Sequence, residues 1–283
     1  MLYEDKLKNI HIEANDIRLG ENVTLSNNIH IKTFGKFYLG DGSHLGSNVN
    51  MKGNDIVIGK HFYYSPLNTL GLNVGGGGSN SPNSNLTVGD RCVFHNGLIN
   101  ICEPVVIGND VGLSNHVDII THGFWYSMLE GYPTEFAGVT IGNNVIVGWR
   151  STIMTGVEIS DNVVIGNNSN VVKSITKSKS IYAGNPARFI KKIEKPSTKV
   201  KLKMLDSIVE DFKDLLEYYV VDSINFEIDY PNLTINNFTI NVDNLSSFGV
   251  EDEVTDMFRD FIRKRGIRIY TDRKFSSSLK RKK

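Results

Sequence analysis

Cysteine is nearly absent from this chain, with two residues, Cys92 and Cys102, in 283. So sparse a set does not build a disulfide scaffold and fits a reducing compartment, so the expected location is the cytoplasm. An excess of either charge is missing too, since 31 basic residues stand against 31 acidic ones. That balance offers no case for nucleic acid as a partner. No apolar run approaches the roughly eighteen residues of a transmembrane segment, and Met1 to Ile10 is too charged for a signal peptide. The glycine run inside GLNVGGGGSNSPNSN, residues 71–85, has neither the Lys and Ser/Thr nor the following helix of a phosphate-cradling loop. It reads as a flexible excursion, or as a lid that orders over a substrate.

Helical and simple strand periodicities are also missing from the first two thirds, and a period of six stands in their place. In the stretch from Val139 to Ile175, Ile141, Val147, Ile153, Ile159, Ile165 and Val171 follow one another at intervals of six. A second set, Val145, Ser151, Val157, Val163 and Ser169, sits four positions after each. A helix requires apolar residues at three and four, and a half-buried strand at two. A six-residue repeat predicts a hexapeptide β-helix, a prism in which each hexapeptide lays a short strand on one face and turns a corner. Every sixth side chain then lines the interior, where full burial of Val or Ile is worth roughly 1.5–3 kcal/mol. The companion slot should be small, with Ser, Val and Cys but no Phe. Gly142, Gly148 and Gly166, with Asn143, Asn144, Asn167 and Asn168, supply residues that tolerate positive φ at tight corners.

The period extends backward almost to the N-terminus. Leu19, Leu25 and Ile31 form one set, Leu39, Leu45 and Met51 another, Ile58 and Tyr64 a third. Val88, Phe94, Ile101, Ile107, Leu113 and Ile119 form a fourth with one slip. Val23, Ile29, Val49, Cys92, Leu98, Val105, Val111 and Val117 are the companions, and both cysteines fall in small-residue slots, as filler or as reactive thiols. The prism is expected from about residue 10 to about 193, interrupted at 71–85 and again at 122–138, HGFWYSMLEGYPTEFAG. Binding residues concentrate on loops held by a rigid scaffold, so these interruptions are the places to look for function.

After Lys195 and Pro196 the period ends. Val200, Leu205, Ile208, Val209, Phe212, Leu215, Leu216 and Tyr219 predict an amphipathic helix between Lys199 and Val221. Strands are expected in INFEIDYP and LTINNFTINV, a second helix from about Glu251 to Arg265, and a last strand in IRIYT. The chain thus divides into residues 1–195 and a small α/β unit, 196–283. From Arg263 onward ten Lys or Arg face one acid, Asp272, a basic tail read as solvated and disordered, or as attracted to an anionic polysaccharide or membrane surface.

The repeat, together with the closing string YAGNPARFIKKI from Tyr182 to Ile193, resembles the left-handed parallel β-helix acyltransferases. That hexapeptide-repeat family includes sugar, maltose and xenobiotic O-acetyltransferases. The resemblance implies an all-β left-handed parallel β-helix, acetyl coenzyme A as co-substrate, a saccharide acceptor and a homotrimer with sites between subunits. It implies a catalytic base at His122, where the segment VGLSNHVDIITHG leaves the prism. Histidine suits the task, because a hydroxyl attacking a thioester needs a proton acceptor active near neutral pH. Some family members carry that histidine two positions later, where this chain has Phe124, and His116 is the rival within it. Asn96 loosely matches an active-site asparagine that could donate to an oxyanion; a corner asparagine is the plainer alternative. Trp125 and Tyr126, with Phe124 and Tyr132, are candidates for a sugar platform or for anchoring the loop to a neighbouring subunit. For coenzyme A the resemblance points to Trp149 and Asn167 along the pantetheine arm, and to Lys173, Arg188 and Lys191 at the phosphates.

Two other classes are open. A zinc hydratase of the γ-carbonic anhydrase type shares the prism, and His95, His116 and His122 are its potential ligands; their spacing of six between the last two differs from that family's five. A catalytically silent scaffold is the other. The acetyltransferase reading expects no metal.

Overall fold

The computed structural model describes residues 1–66, 70–76, 80–123, 126–219, 221 and 224–279. In the first unit, Met1–Glu194, the chain winds through eight coils, each contributing strands to three parallel sheets. Sequence period becomes structure through three columns of inward side chains, one per face. On the first face Ile12, Ile31, Met51, Val74, Ile99, Ile119, Ile153 and Val171 stand in register. On the second they are Leu19, Leu39, Ile58, Val88, Ile107, Ile141, Ile159 and Ile175. On the third they are Leu25, Leu45, Tyr64, Phe94, Leu113, Val147, Ile165 and Tyr182. Nearly all of these are buried, and they form one continuous core.

Both ends of the column are closed by antiparallel strands. Leu2–Asp5 covers the first-face strand Ile10–Glu13, and Arg188–Lys192 covers the third-face strand Ser180–Ala183. A reversed strand is a simple stop for a stack that would otherwise continue as an open edge.

Glycine has two uses in the repeat: Gly42 and Gly156 take left-handed corner positions, and those that directly follow an inward aliphatic residue serve contact. Gly142, Gly148 and Gly166 do not adopt positive φ; the left-handed corner residues are Asn144, Asn162 and Asn168, together with His116, Arg150 and Asp110. What these glycines supply is close approach between coils. A Cβ on Gly108 would lie 2.8 Å from the carbonyl carbon of Gly142 and 2.8 Å from Asn143 Oδ1. The next residue of each coil uses that proximity. Asp90 Oδ1 accepts from the Lys60 amide at 2.8 Å, Asn109 Oδ1 from Asp90 at 2.7 Å, Asn143 Oδ1 from Asn109 at 2.8 Å, and Asp161 Oδ1 from Asn143 at 2.6 Å. Each corner amide therefore has a partner one coil further on, as buried or half-buried backbone donors require.

Four expectations for this unit are corrected. The first interruption is shorter than residues 71–85, because Leu72–Gly75 is a first-face strand with Leu72 and Val74 buried; the adjoining glycines hid its alternation. The slip after Phe94 is resolved by Ile99, not Ile101, in the first-face column. Gly97 thus takes the companion slot, and Leu98 points outward with 36% exposure. Aromatic residues do enter companion slots. Phe37 and Phe62 are fully buried, the latter meeting Phe94 edge-on at 5.1 Å while its amide donates to the small Ser43 at 3.1 Å. A serine one coil away leaves the volume that the ring occupies.

The second unit, Lys195–Lys283, contains helix α1, Thr198–Tyr218, a four-stranded antiparallel meander and helix α2, Glu253–Arg263. Val209, Phe212 and Leu216 of α1, Leu233, Ile235, Phe238 and Ile240 of the sheet, and Met257, Phe258 and Ile262 of α2 share one core. Asp252 caps α2 reciprocally with Thr255. The fourth strand, Ser246–Gly249, is not expected from its polar, weakly alternating sequence. IRIYT is not a strand: Ile269 is fully buried in the core without ladder partners. The basic stretch is not simply solvated either. Arg263 and Lys264 pair with Asp260, Arg265 with Asp211 and Arg273 with Asp256; Lys280–Lys283 lie outside the described residues.

Two predictions follow from packing and charge. Ile99→Ala should cost about 2–5 kcal/mol as a buried truncation, whereas Leu98→Ala should stay within about 0.5 kcal/mol; chemical denaturation of both variants checks the register. Burial pushes the Asp260 carboxyl up, but hydrogen bonds from Lys264 and Arg263 outweigh it and hold the group below its ordinary value. With the folded value below the unfolded one, its contribution is complete above about pH 4 and is lost as pH falls through the folded value. The midpoint of thermal unfolding, followed by helical circular dichroism, should therefore fall on acidification, and less steeply in Asp260→Asn.

Candidate active site

The longest departure from the column begins at the edge between the first and second faces. Val117–Ile119 is the first-face strand, Thr121 is fully buried at the edge, and His122 starts the excursion. The excursion returns along itself: His122–Gly123 pairs antiparallel with Glu135–Phe136, placing His122 opposite Phe136. The two rings stack at 6.0 Å with planes 17° apart. On its other side, His122 Nδ1 lies 3.0 Å from Oδ1 of Asn100, a side chain from the preceding coil that is 5% exposed. The same oxygen accepts from the Thr121 hydroxyl at 2.6 Å and from the Cys102 amide at 3.2 Å. His122 is thus a half-buried imidazole held between a ring and an amide at the mouth of the loop.

Within the loop, Met128–Glu130 forms a short 3-10 turn, and Tyr126 and Tyr132 are exposed, with ring centroids 4.8 Å apart. These two aromatics offer an open, apolar surface. Trp125 and Phe124 lie outside the described residues.

Another group gathers on a different edge, between the third and first faces. Asn96 is buried, with Nδ2 3.4 Å from His116 Nδ1. His116 meets Trp149 edge-on at 6.2 Å, and the Arg150 guanidinium covers the same indole at 4.4 Å. The Trp149 amide donates to Asn167 Oδ1 at 2.9 Å. Asn96 Oδ1 and Asn115 Oδ1 are both buried at this edge without a protein hydrogen bond. The edge therefore combines a 40% exposed indole with two buried amide oxygens that lack a protein hydrogen bond.

The sequence candidates are accordingly divided. Asn96, Trp149 and Asn167 share one edge. His122 lies on another, which Lys173 joins two coils later through the register of Ile119, Ile153 and Val171. Arg188 and Lys191 are exposed on the antiparallel closing strand. His116 precedes and His122 follows the first-face strand Val117–Ile119, so they sit at opposite ends of that strand, with Asn96 beside His116. His95 Nδ1 is 3.0 Å from the Ser65 carbonyl, giving the three histidines separate surroundings. Among the described residues no group of three or more His, Cys, Asp or Glu could hold a metal ion. Burial pushes the Cys102 thiol up, and Glu103 adds to the effect, which disfavours the reactive thiolate.

Asn100 is the participant that sequence reasoning missed. Its signal was an amide inside the apolar string LINIC, since a polar side chain buried there must find partners.

Comparison with known proteins agrees with the coil pattern. Residues 138–173 match a family model described as the hexapeptide repeat of succinyl-transferase, so the last coils carry that repeat. No curated protein matches the chain. Among solved structures, a variant of AntD, an N-acyltransferase from Bacillus cereus in complex with dTDP and coenzyme A, is 17% identical, with a TM-score of 0.42 over 67% of this chain and 91% of its own. A maltose O-acetyltransferase from Clostridium difficile 630 is 23% identical, with a TM-score of 0.30 over 65% of this chain and 70% of its own. LpxA from Acinetobacter baumannii is 19% identical, with a TM-score of 0.42 over 62% and 63%. Similarities of this size leave the functional reading to the chain's own residues. No helix among the described residues is long and apolar enough to cross a membrane.

Proposed function

We propose that this protein transfers an acetyl group from acetyl coenzyme A to a hydroxyl, or secondarily an amine, of a saccharide in surface polysaccharide or glycan biosynthesis. The observation that carries the reading is His122, held by Asn100 and Phe136 where the longest loop leaves a hexapeptide-repeat column. His122 takes the acceptor's hydroxyl proton as the oxygen attacks the thioester carbonyl. The tetrahedral oxyanion then collapses with loss of the coenzyme A thiolate. General base assistance of this kind is worth roughly 10²–10⁴ in rate.

The remaining candidates take roles by chemistry and position. Trp149 and Asn167 flank the pantetheine arm, and Lys173, Arg188 and Lys191 meet the phosphates through charge-assisted hydrogen bonds. Asn96 is the candidate oxyanion donor. Trp125 and Tyr126 contact the sugar. The two-edge arrangement supports a shared site: if both sets of residues serve one reaction, the His122 edge of one copy must face the Trp149 edge of another. A closed ring of three copies satisfies that head-to-tail requirement, and the homotrimer is part of the proposal. The reduced, buried cysteines are compatible with a cytoplasmic location.

His122→Ala should lower turnover by at least about a hundredfold while sparing coenzyme A binding; a thiol-release assay over sugars, nucleotide sugars and oligosaccharides, beside a coenzyme A titration, checks both. His122→Ala and Trp149→Ala chains, each impaired alone, should regain activity when refolded together, because hybrid assemblies contain intact sites. Recovery no greater than the sum of the separate preparations would rule out a site built from two chains.

A further inference from the structure

We infer that Asn100 is a positioning residue that fixes His122 with its proton on Nδ1 and its lone pair on Nε2, making Nε2 the atom that accepts the acceptor's proton. This rests on the transfer reading for its chemistry but not for its geometry. The orientation of an asparagine amide is ordinarily ambiguous, because its oxygen and nitrogen look alike. Here the surroundings remove the ambiguity. The backbone amide of Cys102 can only donate, and it faces the atom 3.2 Å away, so that atom is oxygen. The Thr121 hydroxyl, which can donate as well as accept, fits that assignment. Its oxygen accepts from the Glu103 amide at 3.2 Å, and its proton is directed to Asn100 at 2.6 Å. A ring nitrogen 3.0 Å from an oxygen so engaged must carry a hydrogen. In the neutral imidazole the other nitrogen, Nε2, then holds the lone pair.

The nitrogen side of the same amide is equally constrained. A Cβ on Gly76, which adopts φ +113°, would stand 2.2 Å from Asn100 Nδ2. The glycine at the end of the first-face strand Leu72–Gly75 is therefore the space in which the amide group lies. The first interruption of the column thus shapes the side chain that orients the histidine of the second. A neutral amide in this place sets the tautomer without adding a charge that would favour the imidazolium.

The test separates orientation from catalysis. In protein labelled with ¹⁵N-histidine, with His122 assigned by difference from His122→Gln, the neutral ring should show a protonated Nδ1 and an unprotonated Nε2. A neutral ring protonated on Nε2 would overturn the inference even if acetyl transfer proceeds. The correct tautomer without thiol release would instead leave the inference standing and remove the transfer reading. Asn100→Ala should lose the tautomer preference and about a hundredfold in kcat/KM, with coenzyme A affinity unchanged. Asn100→Asp keeps the acceptor oxygen and adds charge. It should keep the Nδ1 proton and move the acid limb of the kcat/KM profile upward by about one pH unit or more. Glu103, Glu135, Cys102 and Asp118, the last on the strand that leads into His122, are unchanged in these variants, so the displacement reports the new carboxylate. An acid limb unmoved in Asn100→Asp, or a tautomer unmoved in Asn100→Ala, would refute the role.

Discussion

Each coil must return the chain to the same three inward positions one strand spacing further along, and every other feature of the first unit depends on that return. The spacing between hydrogen-bonded strands is about 4.8 Å, so successive corners nearly touch. Gly108 and Gly142 stack with no room for a side chain, and the following Asp or Asn uses the closeness to bond the amide of the coil before it. The inward columns then bury their aliphatic side chains against neighbours two coils deep. Such a column tolerates insertions only where the chain can leave one corner and re-enter the next coil in register, as it does between His122 and Val139.

That constraint also explains where polar chemistry can reside. Inward positions are committed to packing, and outward strand positions are held by the ladder, so adaptable side chains collect at the edges. Two edges are rich in them here. One presents His122 with Asn100 and Phe136; the other presents Trp149 and His116 above the buried Asn96. The first-face strands separate the two within a chain.

The second unit solves a different problem. Its helices and meander bury a mixed aromatic and aliphatic core around Phe212 and Phe258. Arg259 is fully buried yet flanked by Glu251 and Asp256, and Arg273 closes the cluster on Asp256. A buried charge survives only with such partners. The basic run that looked like a solvated tail is in part the complement of acids on the helices, which charge counting along the chain does not reveal.

The prism was legible because its interior repeats at a fixed interval: six-residue spacing from Val139 to Ile175 lays one short strand per hexapeptide, and the three sheets show that three such strands complete a coil. The place where the rhythm breaks was legible as well, and His122 starts the excursion there. The strand Leu72–Gly75 and the place of Ile99 were not, since glycines and a one-residue slip mask a short alternation until neighbouring coils supply the register. The partner of His122 was hidden for a related reason: Asn100 stands 22 residues earlier, and only the pitch of the coil sets them side by side. The sequence by itself determined the column, because burial demands a periodic lining that any reader can count. Tertiary structure alone decided which polar groups share an edge, because coil-to-coil contact depends on the exact lengths of the turns between faces and not on the identity of the residues that make them.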